Sequence, residues 1–330
     1  MKPWLLLPAK LAHDLAPIGL QLLAAFKEPR AHRWNPVEWH GMSFQNPLGI
    51  AGGVDKDAGS VESWWTFGPG FIEVGTVTPL PQEPNEGKII ARSVRDEALW
   101  NKMGFPGTGA WNVKENLRDL PSPRPTPVFV NIGKNRTTPN ENAAQDYAEC
   151  IRVLRGLADA FVVNISSPNT VGLRDLFQPA QFRKFLDSVI SARDLFSAGT
   201  PLLLKLSPDL SETDLEMVID TACELGIEGF IATNTTLSRD SDSTFPIDGG
   251  VSGRPLARLS IATLEKLLRI LGRRREGKLI VSVGGIMTPE DVFRRLEMGA
   301  DLVQVYTALV FEGPGFFDQV AQCANEPGRR

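Results

Sequence analysis

Past residue 44 the chain alternates short, β-rich apolar runs with amphipathic stretches of helical spacing. The runs are 46–51, 71–78, 128–133, 161–166, 202–207, 229–234, 279–284 and 302–307. They are apolar nearly throughout rather than at every second position, which is the pattern of strands buried on both faces. Between most of them lie helical segments, among them 142–157, 181–196, 212–225 and 289–298. Ser211 precedes E-T-D, and Thr288 precedes P-E-D with Pro289 at the first helical position, so both helices carry an N-cap. Gly226 and Gly299 stand where the same two helices should stop. Eight strand–helix alternations over about 280 residues predict an α/β fold, a (β/α)8 TIM barrel rather than a doubly wound sheet, with no second domain.

The apolar pattern breaks at the carboxyl ends of the runs. There stand Gly52-Gly53, Gly75-Thr76, Asn131, Asn164, Lys205, Thr233-Asn234, Gly284-Gly285 and Tyr306-Thr307. Any one of them is ordinary turn chemistry, but eight strands ending this way mark the face of a barrel where active sites sit. Glycines after the seventh run, the Tyr306-Thr307 turn after the eighth, and Gly249-Gly250-Val251-Ser252-Gly253 after the sixth leave bare backbone amides of the kind that hold phosphate. The G-x-G-x-x-G fingerprint of a nicotinamide dinucleotide is absent. Asn101, Asn131, Asn164, Asn169 and Asn234 offer both donors and acceptors, which suits a planar ligand rich in ring N–H and C=O groups. Lys56 and Lys205 can hold a carboxylate or stabilise developing negative charge. Lys205 could instead be a Schiff-base nucleophile, although no acid or tyrosine in the other strand-end motifs stands out as its proton partner.

Composition narrows the chemistry. Residues 164–170 read N-I-S-S-P-N-T, a serine pair at a strand end, yet the three histidines (His13, His32 and His40) all precede residue 41. A hydrolytic serine normally needs such a base nearby. There is also no paired carboxylate for glycosidase work and no His/Cys/carboxylate trio for a metal. A bound redox cofactor that carries the hard chemistry fits a site so short of acids and bases. Three scattered cysteines, Cys150, Cys223 and Cys323, argue against a disulfide framework. A net charge of −4 without a basic cluster argues against nucleic acid as a partner.

The N-terminus differs from the rest. Leu11, Leu15, Ile18, Leu22 and Phe26 recur at helical spacing, and residues 1–40 carry +2, leaving −6 on the remainder. The opening M-K-P-W-L-L-L-P-A-K is too short an apolar run to cross a bilayer, and it lacks the marks of a secretory signal or transit peptide. Periodicity by itself favours a helix packed on its own domain, with a membrane-surface element as the alternative.

Taken together, the strings NPLGIAGGVDKD, EVGTVTP, NKMGFPG, VNIGKN, NISSPNTVGLR, LLKLSPDL, IATNTT, GGVSGRPL and LVQVYTALVF resemble the dihydroorotate dehydrogenases of class 2, the membrane-associated, quinone-reducing type. The resemblance runs from about His13 to the C-terminus. It implies FMN held by Gly52, Gly53, Thr76, Asn131, Asn164, Lys205, Thr233, Gly253, Gly285, Tyr306 and Thr307. It implies dihydroorotate held by Lys56, by the stretch Asn101, Lys102, Met103, Gly104 and Phe105, and by Asn164, Asn169, Asn234 and Thr235. Class 1 members have cysteine as base and class 2 members serine, which here is Ser167, with Thr170 and Phe105 organising the proton's exit. The class further implies an N-terminal helical segment, residues 1–40, that lies at the membrane and admits ubiquinone or menaquinone to FMN past His13, Arg92 and Tyr306, with residues 41–330 as the barrel. This reverses the reading from periodicity. No iron–sulfur subunit is implied, and the expected location is peripheral, on the cytoplasmic face of a bacterial inner membrane. Gly52 stands where alanine is more usual and Thr307 where serine is. The remaining alternatives are a soluble class 1-like enzyme using fumarate or NAD, and a non-redox phosphate-binding barrel.

Overall fold

A computed structural model describes residues 2–170 and 172–326; Met1, Val171, inside the NISSPNTVGLR string, and residues 327–330 lie outside that range. An N-terminal helix α1 (Ala9–Ala25) leads to a hairpin of β1 (Val37–Trp39) and β2 (Met42–Phe44). Then follow β3 (Leu48–Asp55), α2 (Val61–Trp65), β4 (Phe71–Val77), β5 (Ile90–Ser93), β6 (Ala98–Asn101), α3 (Ala110–Arg118) and β7 (Val128–Ile132). The middle of the chain forms α4 (Ala143–Leu154), β8 (Ala160–Val163), α5 (Pro179–Phe196), β9 (Leu202–Leu206), α6 (Glu212–Glu224) and β10 (Gly229–Ala232). The remainder is β11 (Gly250–Gly253), α7 (Ala257–Leu271), β12 (Leu279–Val283), α8 (Pro289–Glu297), β13 (Leu302–Val305), α9 (Thr307–Glu312) and α10 (Phe316–Ala324). Strands β3, β4, β7, β8, β9, β10, β12 and β13 pair in parallel and close into a barrel, the last joint being β13 to β3 with Val303 opposite Leu48. This is the predicted (β/α)8 barrel.

The helices start and stop where the sequence signals stood. The Ser211 side chain accepts from the backbone N–H of Asp214, and Thr288 and Asp291 form a reciprocal capping box with Pro289 at the first position. Each such cap contributes about 1 kcal/mol. Gly226 and Gly299 take positive φ just past α6 and α8.

Inside the barrel the side chains are graded from floor to rim. Phe71 of β4, Phe129 of β7 and Leu203 of β9 fill the floor, and Phe44 of the hairpin plugs it from below, edge-on to both phenylalanines. Two residues further along the same strands the inward positions turn polar: Glu73, Asn131 and Lys205. Because side chains alternate along a strand, one two-residue step carries the interior from hydrocarbon floor to functional layer.

One feature departs from the sequence reading, a second from what periodicity alone favoured, and a third bears on where the N-terminal segment ends. Residues 250–253 are not a bare loop: β11 pairs antiparallel with β6, Gly250 opposite Asn101, and β5 completes a three-stranded sheet beside the barrel mouth. Strands this short, inserted into βα loops, leave no periodicity to read. The apolar stripe of α1 does not pack on its own domain either. Leu11, Leu15, Ile18, Leu22 and Leu23 are exposed, Phe26 is 91% exposed just past the helix end, and of the helix only Leu20 is buried. Finally, a boundary at residue 40 falls in the hairpin turn, while Trp34 is already buried against the ring of Phe293. The segment before it is held by Trp4 Nε1 donating to Val310 O (2.7 Å) and by Lys27 pairing with Asp318 (2.6 Å).

Candidate active site

A single carboxylate organises the polar layer. Glu73 is fully buried; its Oε1 accepts from Lys205 Nζ (2.8 Å) and Asn131 Nδ2 (2.6 Å), and its Oε2 accepts from Gln304 Nε2 (2.7 Å). Strands β4, β7, β9 and β13 are thereby tied together at one point. A Cβ on Gly52 would collide with Glu73 Oε1, so in this chain the glycine makes room for the carboxylate. The expectation that no acid partners Lys205 is therefore corrected: its Nζ is engaged in an ion pair rather than free for Schiff-base attack. Sequence reasoning missed Glu73 and Gln304. The signal was present, because a charge in the middle of a run read as buried on both faces must have a buried partner.

Above this layer lies one cavity bounded by β-strand ends and by the β5–β6–β11 sheet. The strand ends bring to it Gly52, Gly53 and Lys56 from the first barrel strand and the loop after it, Thr76 and Asn131 from the next two, and Asn164 and Lys205 beyond them. Thr233, Asn234, Thr235, Gly285, Tyr306 and Thr307 complete the ring, while Asn101, Met103, Gly104 and Phe105 come from β6 and the turn after it. Among the described residues, no carboxylate and no imidazole lines this cavity. Asn164 ties the ring together: its Nδ2 donates to Thr76 Oγ1 (3.0 Å) and Asn131 Oδ1 (3.1 Å), and its Oδ1 accepts from Ser166 Oγ (3.0 Å). Ser166 is thus a structural hydroxyl, and Asn234 Nδ2 also donates to it (3.0 Å).

Ser167, the next residue, is buried but lines the cavity, and its Oγ accepts from the backbone N–H of Asn169 (3.2 Å). Asn169 in turn donates to Asn101 Oδ1 (2.8 Å). Phe105 holds a positive φ beside Gly104, a conformation fixed by Gln82 Nε2 donating to both of their carbonyls (2.9 and 2.8 Å). Thr170 is buried behind the lining, and its Oγ1 has no hydrogen-bond partner among the described residues; the same holds for Asn169 Oδ1 and Gln304 Oε1. Buried polar atoms are rarely left unpaired, and three of them around one cavity indicate groups arranged for a ligand.

At the far end the cavity is walled by Leu256, Gly284, Gly285, Ser252 and Thr307, with the two hydroxyls of Ser252 and Thr307 2.9 Å apart. Gly253 lies just outside the lining, its φ of +88° turning the chain from β11 into the helix that follows. No side chain fits at Gly285, where a Cβ would collide with the backbone of Ala257. The result is a bare-backbone cradle at the ends of β11, β12 and β13, the position expected for a phosphate.

The family model for dihydroorotate dehydrogenase matches residues 36–326. The chain belongs to the dihydroorotate dehydrogenase family. It is 46% identical over 285 residues to the dihydroorotate dehydrogenase (quinone) of Deinococcus radiodurans, covering 84% of this chain and 76% of that protein. With the enzyme of the same name from Thermus thermophilus it shares 46% identity over 284 residues, covering 85% and 79%. It also superposes on the ligand-free crystal structure of DHODH from Eimeria tenella with a TM-score of 0.85 at 32% identity, covering 94% of this chain and 92% of that one.

In this member of the dihydroorotate dehydrogenase family the N-terminal segment touches one of the residues that line the cavity. Lys56 Nζ lies 3.3 Å from His13 Nε2 of α1. Burial, reinforced by the charge of Lys56, pushes His13 down to about 4, so the imidazole is neutral and accepts from the lysine. Burial also lowers Lys56 below the usual lysine range, while buried Asp55 beside it holds the loop through the N–H groups of Gly59 and Ser60. Arg92 on β5 donates to the carbonyls of Leu5 (2.8 Å) and Leu7 (2.7 Å), clamping the segment before α1. Tyr306 lines the cavity, its ring lies against Gly53, and burial pushes its hydroxyl up to about 12. Lys102 is the exception among the expected substrate residues. It does not line the cavity, and its Nζ pairs with Asp248 (2.7 Å).

Proposed function

We propose that the chain is a quinone-dependent dihydroorotate dehydrogenase that oxidises (S)-dihydroorotate to orotate on FMN and passes the electrons to ubiquinone or menaquinone, the fourth step of pyrimidine biosynthesis. Beyond family membership, one observation carries the reading: a buried serine and a ring of amides face one cavity that, among the described residues, no carboxylate or imidazole lines. FMN suits the cavity because the cradle is bare backbone, the floor presents a tethered lysine, and unpaired amide oxygens remain for ring N–H groups. Held there, FMN would supply the acceptor for the hydride from C6 of dihydroorotate and the donor of electrons to quinone.

The protein's own groups do the rest. Ser167 Oγ takes the proton from C5, and Thr170, a buried hydroxyl, and Phe105, in the cavity lining, organise its exit. Asn101, Asn164, Asn169, Asn234 and Thr235 orient the pyrimidine ring, and Lys56 holds its carboxylate. Residues 1–40 form the membrane and quinone segment and the barrel the catalytic unit. Contact with the membrane is peripheral, on the cytoplasmic side, through the exposed stripe of α1, which supports this reading; among the described residues no helix is long and apolar enough to cross a membrane. Quinone enters past His13, Arg92 and Tyr306.

The purified protein is expected to be yellow, to bleach anaerobically on adding dihydroorotate, and to regain colour with a short-chain quinone. A colourless protein, or a yellow one that dihydroorotate does not bleach, overturns the assignment. Removing residues 1–28, upstream of buried Trp34 and of the barrel-closing hairpin, should spare bleaching by dihydroorotate and slow recovery by quinone. Equal recovery with quinone in the full and shortened proteins sinks the role of the N-terminal segment.

A further inference from the structure

Behind the cradle lies a charge the catalytic reading does not use. Arg295 of α8 is 1% exposed, one of the largest side chains fully buried in the barrel wall. Among the described residues its hydrogen bonds all go to neutral oxygens: Ser282 Oγ (3.2 Å), Ser260 Oγ (2.8 Å), Gly284 O (3.0 Å) and Ala257 O (3.4 Å). No acid is among these partners; Asp291 and Glu265 act on it only through space, and the Asp291 carboxylate is taken by the N–H groups of Met287 and Thr288. Burial lowers the guanidinium to about 10, which leaves it charged at neutral pH.

A buried cation without a counter-ion is costly, and an apolar side chain of similar volume packs such a place more cheaply. The arrangement makes sense if the compensating anion arrives with a ligand. Two of the four acceptors belong to the cradle itself: Gly284, which lines the cavity, and Ala257, against which Gly285 is packed. Ser260 Oγ lies within hydrogen-bond distance of the same two carbonyls (2.7 and 3.0 Å) and shares its one O–H between them from behind. In a planar trans peptide the N–H points opposite to the C=O. Holding Gly284 O toward Arg295 therefore turns the Gly285 N–H away from it.

We propose that Arg295 is a positioning residue for the phosphate end of the flavin site: it fixes the glycine cradle by its hydrogen bonds and supplies the charge that a phosphate dianion balances. This rests on the FMN reading of the same cavity. Low-dielectric surroundings let one charge act on another without direct contact, so the effect falls on the phosphate and spares the ring system.

The test compares FMN with riboflavin, which lacks the phosphate, on the full chain freed of flavin, by fluorescence titration. Arg295→Met is expected to weaken FMN by roughly tenfold or more and to leave riboflavin affinity unchanged, which is a loss of discrimination that a merely structural role does not produce. Arg295→Lys, which keeps the charge, should keep most of the discrimination. Equal losses for FMN and riboflavin in Arg295→Met, or no loss for either, overturn the proposal. If Arg295→Met does not fold, Arg295→Lys decides alone: discrimination within about threefold of the parent supports the proposal, and its collapse overturns it. A parent protein that binds riboflavin as tightly as FMN overturns the phosphate reading as well, and that failure is recognisable because it appears before any substitution.

Discussion

Ser167→Ala is expected to slow reduction of the flavin by dihydroorotate by about 10²–10⁴-fold, the usual contribution of a general base, while flavin content stays at the parent level. Ser167 sits at the cavity wall, and the Ala160–Val163 strand leading into its loop is buried on both faces. Removing one hydroxyl leaves that scaffold intact. It also leaves Asn164, which ties the ring through Thr76 and Asn131 and does not depend on Ser167. The loss should therefore appear in the rate of bleaching under rapid mixing and not in the spectrum of the resting protein. Ser167→Cys sharpens the test, since a thiol ionises far more readily than an alcohol and should support bleaching at lower pH than serine does. An alanine variant that bleaches at the parent rate removes Ser167 from the role of base. The neighbouring serine provides the control, because Ser166 Oγ is spent on Asn164 and Asn234, and its loss should loosen flavin binding instead.

How much of this was legible beforehand depends on what each feature leaves in a sequence. The barrel strands announced themselves because strands buried on both faces must be apolar at consecutive positions, and their ends because a barrel gathers its polar residues on one rim. Lys205 and Asn131 could be read as rim residues, but their shared tether to Glu73 could not, since it joins residues far apart in the chain. The β5–β6–β11 sheet was missed because four-residue strands in loops show neither period. Arg295 was invisible for a similar reason: on a helix it reads as an exposed basic residue in the last turn, and only the packing of α8 on the barrel, which carries the guanidinium to Ser282 of β12, makes it buried. The outward face of α1 is the reverse case. Its stripe was plain in the sequence, while its direction is set by what the rest of the chain offers it to cover, and the chain offers little.

Glu73→Ala carries the largest expected cost in stability. The substitution leaves Lys205 Nζ, Asn131 Nδ2 and Gln304 Nε2 all pointing at a space with no acceptor, in the middle of the barrel. Breaking a buried ion pair from one side costs about 3–5 kcal/mol, most of it from the charge left behind. Denaturant unfolding should show that loss, and flavin content should fall with it because Lys205 is no longer held over the floor. Unchanged stability together with full flavin content sinks the network's role. The cause can be separated from the function with a second protein, Glu73→Leu combined with Lys205→Met. Replacing both charges by apolar groups removes the stranded ammonium, so stability should recover well above that of Glu73→Ala. Flavin reduction should not recover, because the lysine that the carboxylate positions is gone. Recovery of both in the double variant means that the pair only supports the barrel, and recovery of neither means that Asn131 and Gln304 depend on the carboxylate as much as Lys205 does.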